Sequence, residues 1–218
     1  MSDPAPAPSG CTPVGDRPEA VVFDLGNVLI SWDPHPAIAA GVGDAEATRF
    51  LGSDDFDFGA WNHEQDAGRR FVESERAAVE RVPHWREHIL AYRRHFARSL
   101  VGEIGSSVEV LRDLHAAGVR LFALTNWSDE LFPVALDRFG FLGLFEDIVV
   151  SGAESLAKPD PRIFAVLARR TGLPLEQCVF VDDKAENVEA ARDLGMDAVV
   201  FRPDGSLRDQ LRQRRLPV

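Results

Sequence analysis

Short apolar runs recur along the chain, each closed by polar or turn-forming residues. Ala20-Val21-Val22-Phe23 is four apolar residues stopped by Asp24, the length and composition of a strand buried on both faces. Residues 119–124, 148–150, 178–181 and 198–201 read the same way. Between these runs the apolar spacing changes to three and four. Val108, Leu111 and Leu114 form one helical stripe, which Ser106 or Ser107 can cap. Asp129 can open the next helix. Asp160-Pro161 starts another, with Asp as N-cap and Pro as first helical residue, running to about residue 171. Further helices are predicted at 187–194 and 206–215. Strands alternating with helices predict an α/β fold, a Rossmann-like doubly wound parallel sheet with helices on both faces.

Residues 32–105 break the alternation. Glu/Arg-rich helical periodicity covers 71–82 and 85–100, and no buried strand is evident, so this stretch reads as an inserted helical cap. The core is then 19–31 joined with 106–218. Residues 1–18 are rich in Pro, Ala, Ser and Gly and have no apolar centre, which predicts a disordered tail and not a signal peptide.

Composition narrows the partners. The 218 residues carry a net charge of -11, which repels nucleic acid and anionic membranes but leaves a small anionic substrate possible at a locally positive site. No apolar run approaches the ~20 residues of a membrane span. Cys11 falls in the tail and Cys178 in a strand, so no disulfide framework is expected, and a reducing, cytoplasmic setting fits. Of 24 basic residues only Lys158 and Lys184 are lysine. That scarcity suggests places where a compact point charge is required.

In doubly wound sheets, ligands bind beyond the carboxyl ends of strands. The polar residues at those ends are Asp24, Thr125-Asn126 and Asp182-Asp183, with Lys158 in a loop before a helix. Asp24 alone could be a turn residue, and Thr125-Asn126 alone could merely end a strand. Asp182 and Asp183 repel each other unless solvated or bound to a cation. Together the set suits phosphoryl transfer: a carboxylate nucleophile, a lysine, a hydroxyl, and oxygen ligands for a hard dication.

Four segments carry a family resemblance: Val-Val-Phe-Asp24-Leu-Gly-Asn-Val-Leu, Phe-Ala-Leu-Thr125-Asn126, Lys158-Pro-Asp-Pro, and Val-Phe-Val-Asp182-Asp183-Lys-Ala-Glu-Asn187. In that order they resemble the motifs of the haloacid dehalogenase (HAD) superfamily, and the Phe-Asp-Leu-Gly-Asn-Val wording resembles a branch that includes sugar-phosphate phosphatases of the glucose-1-phosphatase-like kind. The resemblance implies a Mg2+-dependent phosphohydrolase acting on a small phosphorylated metabolite, as monomer or homodimer. It implies Asp24 as nucleophile and metal ligand, and the Gly26 carbonyl and Asp183 as further ligands. Asp182 would be a ligand or its support, Thr125 and Asn126 the phosphate-binding pair, and Lys158 the group that steadies nucleophile and phosphate.

One departure stands out. Most HAD phosphatases place a second aspartate two residues after the nucleophile, as acid and then base, and here that position is Gly26. Such help is worth ~10²–10⁴-fold in rate. Asp33, His63 and Glu64 are the substitutes to consider, with His63 and Glu64 as possible cap contacts with substrate. A good leaving group would lessen the need, and lost turnover would leave a phosphoester-binding regulatory module. A hydrolytic 2-haloacid dehalogenase is the other alternative, although an acidic pair would repel its carboxylate substrate. Trp127 either lines the site or packs beneath the insertion. His84 and His88, one helical turn apart, read as surface residues, as do Arg212, Arg214 and Arg215.

Overall fold

The computed structural model describes residues 17–218, so nearly all of the expected tail, with Cys11, lies outside the described residues. In chain order the elements are β1 (Ala20–Phe23), β2 (Ile30–Trp32), α1 (His35–Val42), α2 (Asp44–Leu51), α3 (Phe58–Asp66), α4 (Phe71–Arg81) and α5 (Arg86–Arg94). Then come β3 (Leu100–Glu103), α6 (Gly105–Ala116), β4 (Arg120–Thr125), α7 (Phe132–Arg138), β5 (Asp147–Val150) and α8 (Ser151–Glu154). The chain finishes with α9 (Pro161–Thr171), β6 (Cys178–Asp182), α10 (Ala185–Asp193), β7 (Asp197–Val200) and α11 (Leu207–Gln213).

All five predicted apolar runs join one parallel sheet in the order β5-β4-β1-β6-β7. Ala20 pairs with Arg120 and Cys178, and Phe23 with Ala123 and Val181, so β1 is the central strand. Side chains alternate between two cores, as the pleat requires. Val21, Phe23, Leu121 and Val181 face the stripe of α6, Val108, Leu111 and Leu114. Val22, Phe122, Leu124 and Phe180 face Ile163, Phe164 and Leu167 of α9. Burial on both faces explains why the strands read as unbroken apolar runs. From β1 the chain winds out to β4 and β5, then returns to β6 and β7 on the other side. That reversal opens a crevice at the carboxyl ends of β1, β4 and β6.

Four local expectations change. The 32–105 stretch does contain a strand: β3 pairs antiparallel with β2, Ile30 opposite Glu103 and Trp32 opposite Leu100. Only Leu100 of its four residues is buried, so no apolar run marks it. The 85–100 helix stops at Arg94, followed by a 3-10 turn at Phe96–Arg98. The helix expected at Asp129 begins at Phe132. Ser107 is no cap either. Its hydroxyl donates to the Val28 and Ile104 carbonyls and ties α6 to the loop after β1.

Helices α1–α5 surround a cluster of rings that includes Phe50, Phe58, Trp61, Phe71, Trp85 and Tyr92. Arg93 of α5 forks onto the buried Glu75 of α4 at 2.9 and 2.8 Å, a bidentate pair that fixes the two helices together. Gly152, at the start of α8, lies against the loop that leaves β4. A Cβ there would stand 2.6 Å from the Asp129 nitrogen and 2.8 Å from the Trp127 oxygen, both backbone atoms that cannot move aside. Gly152→Ala is therefore expected to cost about 1–3 kcal/mol of stability, read by chemical denaturation.

Candidate active site

The site starts at the end of β1. The Asp24 N–H donates to the Val181 carbonyl at 2.8 Å, which locks the residue to β6, and Asp24 Oδ1 accepts from the Leu25 N–H at 2.7 Å. The chain then turns tightly. The Leu25 carbonyl accepts from the N–H groups of Leu29 and Ile30, and Asn27 donates to the Ile30 carbonyl at 2.7 Å. Asn27 sits at φ 55°, a left-handed conformation that asparagine tolerates better than most residues. Gly26 lies inside this turn, and nothing stands within 4 Å of where its Cβ would be.

Lys158 is the centre of the arrangement. Its ammonium is buried and reaches Asp182 Oδ2 at 2.6 Å, Asp24 Oδ1 at 3.1 Å and the Leu124 carbonyl at 2.8 Å. Asn126 fixes the lysine's backbone from two sides: Oδ1 accepts from the Lys158 N–H at 2.8 Å, and Nδ2 donates to the Lys158 carbonyl at 2.9 Å. Asp182 is held as firmly. Its oxygens also accept from the Lys184 N–H at 2.8 Å and from Asn187 Nδ2 at 3.0 and 3.1 Å. Thr125 is fully buried, and its hydroxyl has no partner within the protein.

Three carboxylates converge here. Asp24, Asp182 and Asp183 each present an oxygen, all within 4.8 Å of one another. Burial lifts the Asp24 carboxyl to about 7; Lys158 opposes the rise, and Asp182 and Asp183 add to it. Burial, then Asp182, also raises Asp183. Burial works against the Lys158 charge, but Asp24 and Asp182 outweigh it and hold the ammonium above its ordinary value. Clustered oxygen donors with excess negative charge suit a hard dication such as Mg2+, so the residues fit the metal the motifs imply.

Above this cluster lies a cavity of about 180 Å³ lined by Asp24, Gly26, Asn126 and Asp183. The only two lysines of the chain flank it: Lys158 beneath Asp24, and Lys184 on the wall. Trp127 meets both expectations, lining the cavity while packing edge-on against Phe96 and Phe132. His63 lines it too. Glu64 does not: it pairs with Arg69 at 2.5 Å, beside a separate surface hollow. Asp33 accepts from the His35 N–H at 2.9 Å at the start of α1 and does not line the cavity. His84 and His88 turn to different carboxylates, Asp55 and Glu46. Arg214 pairs with Asp197.

One residue was missed. Asp66, at the end of α3, shares the cavity with Asp24, and burial lifts its carboxyl to about 7. The signal was present: Gly59, Asn62, His63 and Asp66 recur at the spacing of one helical face.

A family model for haloacid dehalogenase-like hydrolases matches residues 18–195. The chain belongs to that family. Drimenol cyclase from Aspergillus calidoustus is 29% identical over 194 residues, which cover 88% of this chain and 35% of the cyclase. A Mycobacterium tuberculosis phosphatase is 34% identical over 100 residues, 45% of this chain and 46% of that protein. The chain thus aligns with less than half the length of either relative. A HAD family enzyme from Bacteroides thetaiotaomicron, solved with magnesium and inorganic phosphate, superposes with a TM-score of 0.67 at 20% identity. That match covers 85% of this chain and 95% of the other. It shares the fold of this HAD hydrolase.

Two stability experiments separate the roles of the carboxylates. Asp182→Ala strands the buried Lys158 ammonium and should cost ~3–5 kcal/mol even without metal. Asp183→Asn should leave the metal-free protein close to wild type but abolish the rise in Tm on adding Mg2+. A further experiment concerns pH. A carboxyl at 3.8 when unfolded and about 7 when folded binds more protons in the native state between those values. Its contribution to stability is therefore lost as pH rises through about 7. In EDTA, the stability of Asp24→Asn relative to wild type should grow from pH 4 to pH 8, read by denaturation at each pH.

Proposed function

We propose that this HAD hydrolase is a Mg2+-dependent phosphomonoesterase that carries the phosphoryl group on Asp24. The observation behind this reading is the placement of Asp24 Oδ1 at the cavity floor, 3.1 Å from a buried lysine and among the converging oxygens of Asp182 and Asp183. Asp24, Asp183 and the Gly26 carbonyl would hold the cation, which neutralises phosphate charge and favours the ionised form of Asp24. Asp182 acts through Lys158 and Asn187, because its oxygens already accept from both. Lys158 keeps the attacking carboxylate in place and offsets charge as the phosphate approaches. The Thr125 hydroxyl, without a partner in the protein, is a donor for a phosphate oxygen. Asn126 contributes by positioning Lys158.

The dehalogenase alternative fits the site less well. Its substrate carboxylate would approach three clustered aspartates, whereas a phosphate arrives with a cation.

The substrate is a small metabolite. A cavity of about 180 Å³ is smaller than the ~300–1,000 Å³ of sites for drug-sized ligands. Its walls combine Asn62 and His63 with Trp32, Phe71, Tyr92 and Phe96, a mixture of polar groups and aromatic faces. Such walls can hold the hydroxyls of a sugar phosphate and stack on its carbon faces.

Phosphate release from acetyl phosphate, glucose 1-phosphate and para-nitrophenyl phosphate tests this reading. Activity should require Mg2+, disappear in EDTA, and fall to background in Asp24→Asn. Metal-free chloride release from 2-chloropropionate, with no phosphate release, would replace the phosphatase reading with a dehalogenase one.

A further inference from the structure

Position 26 has room for an acid and holds none: a Cβ built on Gly26 meets nothing within 4 Å. The cavity does contain one carboxyl besides Asp24 and Asp183 of the cation cluster, and it comes from α3. The stripe of Gly59, Asn62, His63 and Asp66 turns one face of that helix into the cavity that holds Asp24 and Gly26.

Asp66 is held firmly. Asn62 Nδ2 donates to its Oδ2 at 3.2 Å. The Ser151 hydroxyl donates to its backbone carbonyl at 2.6 Å, tying the end of α3 to the residue just after β5. One bond within the helix thus holds the half-buried carboxyl, and one to the core anchors the backbone that carries it. The charged and titratable groups around it are Asp24, Lys158, Lys184 and Tyr92. Burial lifts its carboxyl to about 7, Lys184 pulls it down, and Asp24 pushes it up. A carboxyl raised towards neutrality suits a group that must act as an acid and then as a base. Glu64 and Asp33 lie outside the cavity, and His63 is exposed.

We propose that Asp66 is the proton donor to the leaving group and then the base that activates water, replacing from the insertion the aspartate that position 26 lacks. This assignment rests on the phosphomonoesterase reading above. In the first step an Asp24 oxygen bonds to phosphorus, the bond from phosphorus to the ester oxygen breaks, and the Asp66 proton moves to that oxygen, releasing the alcohol. In the second, the Asp66 carboxylate takes a proton from water. The water oxygen bonds to phosphorus, and the bond from phosphorus to Asp24 breaks. Inorganic phosphate leaves, with Asp24 ionised and Asp66 protonated again.

The test is a leaving-group series, from alkyl phosphates to para-nitrophenyl phosphate, on the full chain with Mg2+. Wild-type kcat/KM should depend weakly on leaving-group basicity. Asp66→Asn should lose ~10²–10⁴-fold on alkyl esters and far less on the nitrophenyl ester. On that ester it should show a stoichiometric burst of nitrophenolate, with phosphate accumulating on Asp24 by mass spectrometry. Adding Gly26→Asp to this variant should recover alkyl-ester turnover by roughly tenfold or more. An equal loss on every ester without a burst would overturn the assignment, as would unchanged alkyl-ester turnover. A steep leaving-group dependence in the wild type would overturn it whether or not the variant folds. A wild type inactive on every phosphate ester would instead remove the phosphomonoesterase reading, and this assignment with it.

Discussion

A buried ammonium organises this molecule. Lys158 Nζ touches an oxygen from each of the three central strands or their ends: Asp24 after β1, Leu124 on β4 and Asp182 on β6. Removing a cation from water costs several kcal/mol unless its partners are well placed. The registers of β1, β4 and β6 must therefore be right together, and the same condition that stabilises the sheet brings Asp24 to the cavity. Asn126 adds a second constraint by gripping both backbone groups of the lysine. Three carboxylates against one ammonium leave an excess of negative charge, which is why the site suits a cation.

Much of this was legible from residue order because the core strands are buried on both faces, which turns each into an apolar run ending at a functional residue. The places of Asp24 and Asp183 could be read from where those runs stop, and that of Lys158 from the loop before a helix. The β3 strand could not. It exists because β2 offers a partner some seventy residues earlier, and its own four residues bury only Leu100. Asp66 was hidden for another reason. Its neighbours Trp61 to Gln65 draw attention as a linear run, whereas its place in the cavity depends on a helical face and on the contact with Ser151, which is remote in sequence.

The two halves of the cavity obey different rules. The floor is set by backbone geometry: a tight turn after β1, with Asn27 in a left-handed conformation and Ser107 fastening the Val28 carbonyl. The walls are set by side-chain packing. The rings of Phe71 and Tyr92 belong to the same aromatic cluster that holds α3, α4 and α5 together. A substitution that reshapes the wall therefore also disturbs the packing of those helices, whereas the floor rests on the sheet and on α6.

The scarcity of lysine has a practical corollary. With Lys158 sealed inside the sheet, Lys184 is the chain's single exposed side-chain amine, and it stands at the cavity wall. Acylating reagents, amine cross-linkers and resins coupled through lysine would all converge on that position, apart from the chain's N-terminus. Labelling chemistry that is diffuse on most proteins would, on this one, mark a single position beside the cavity.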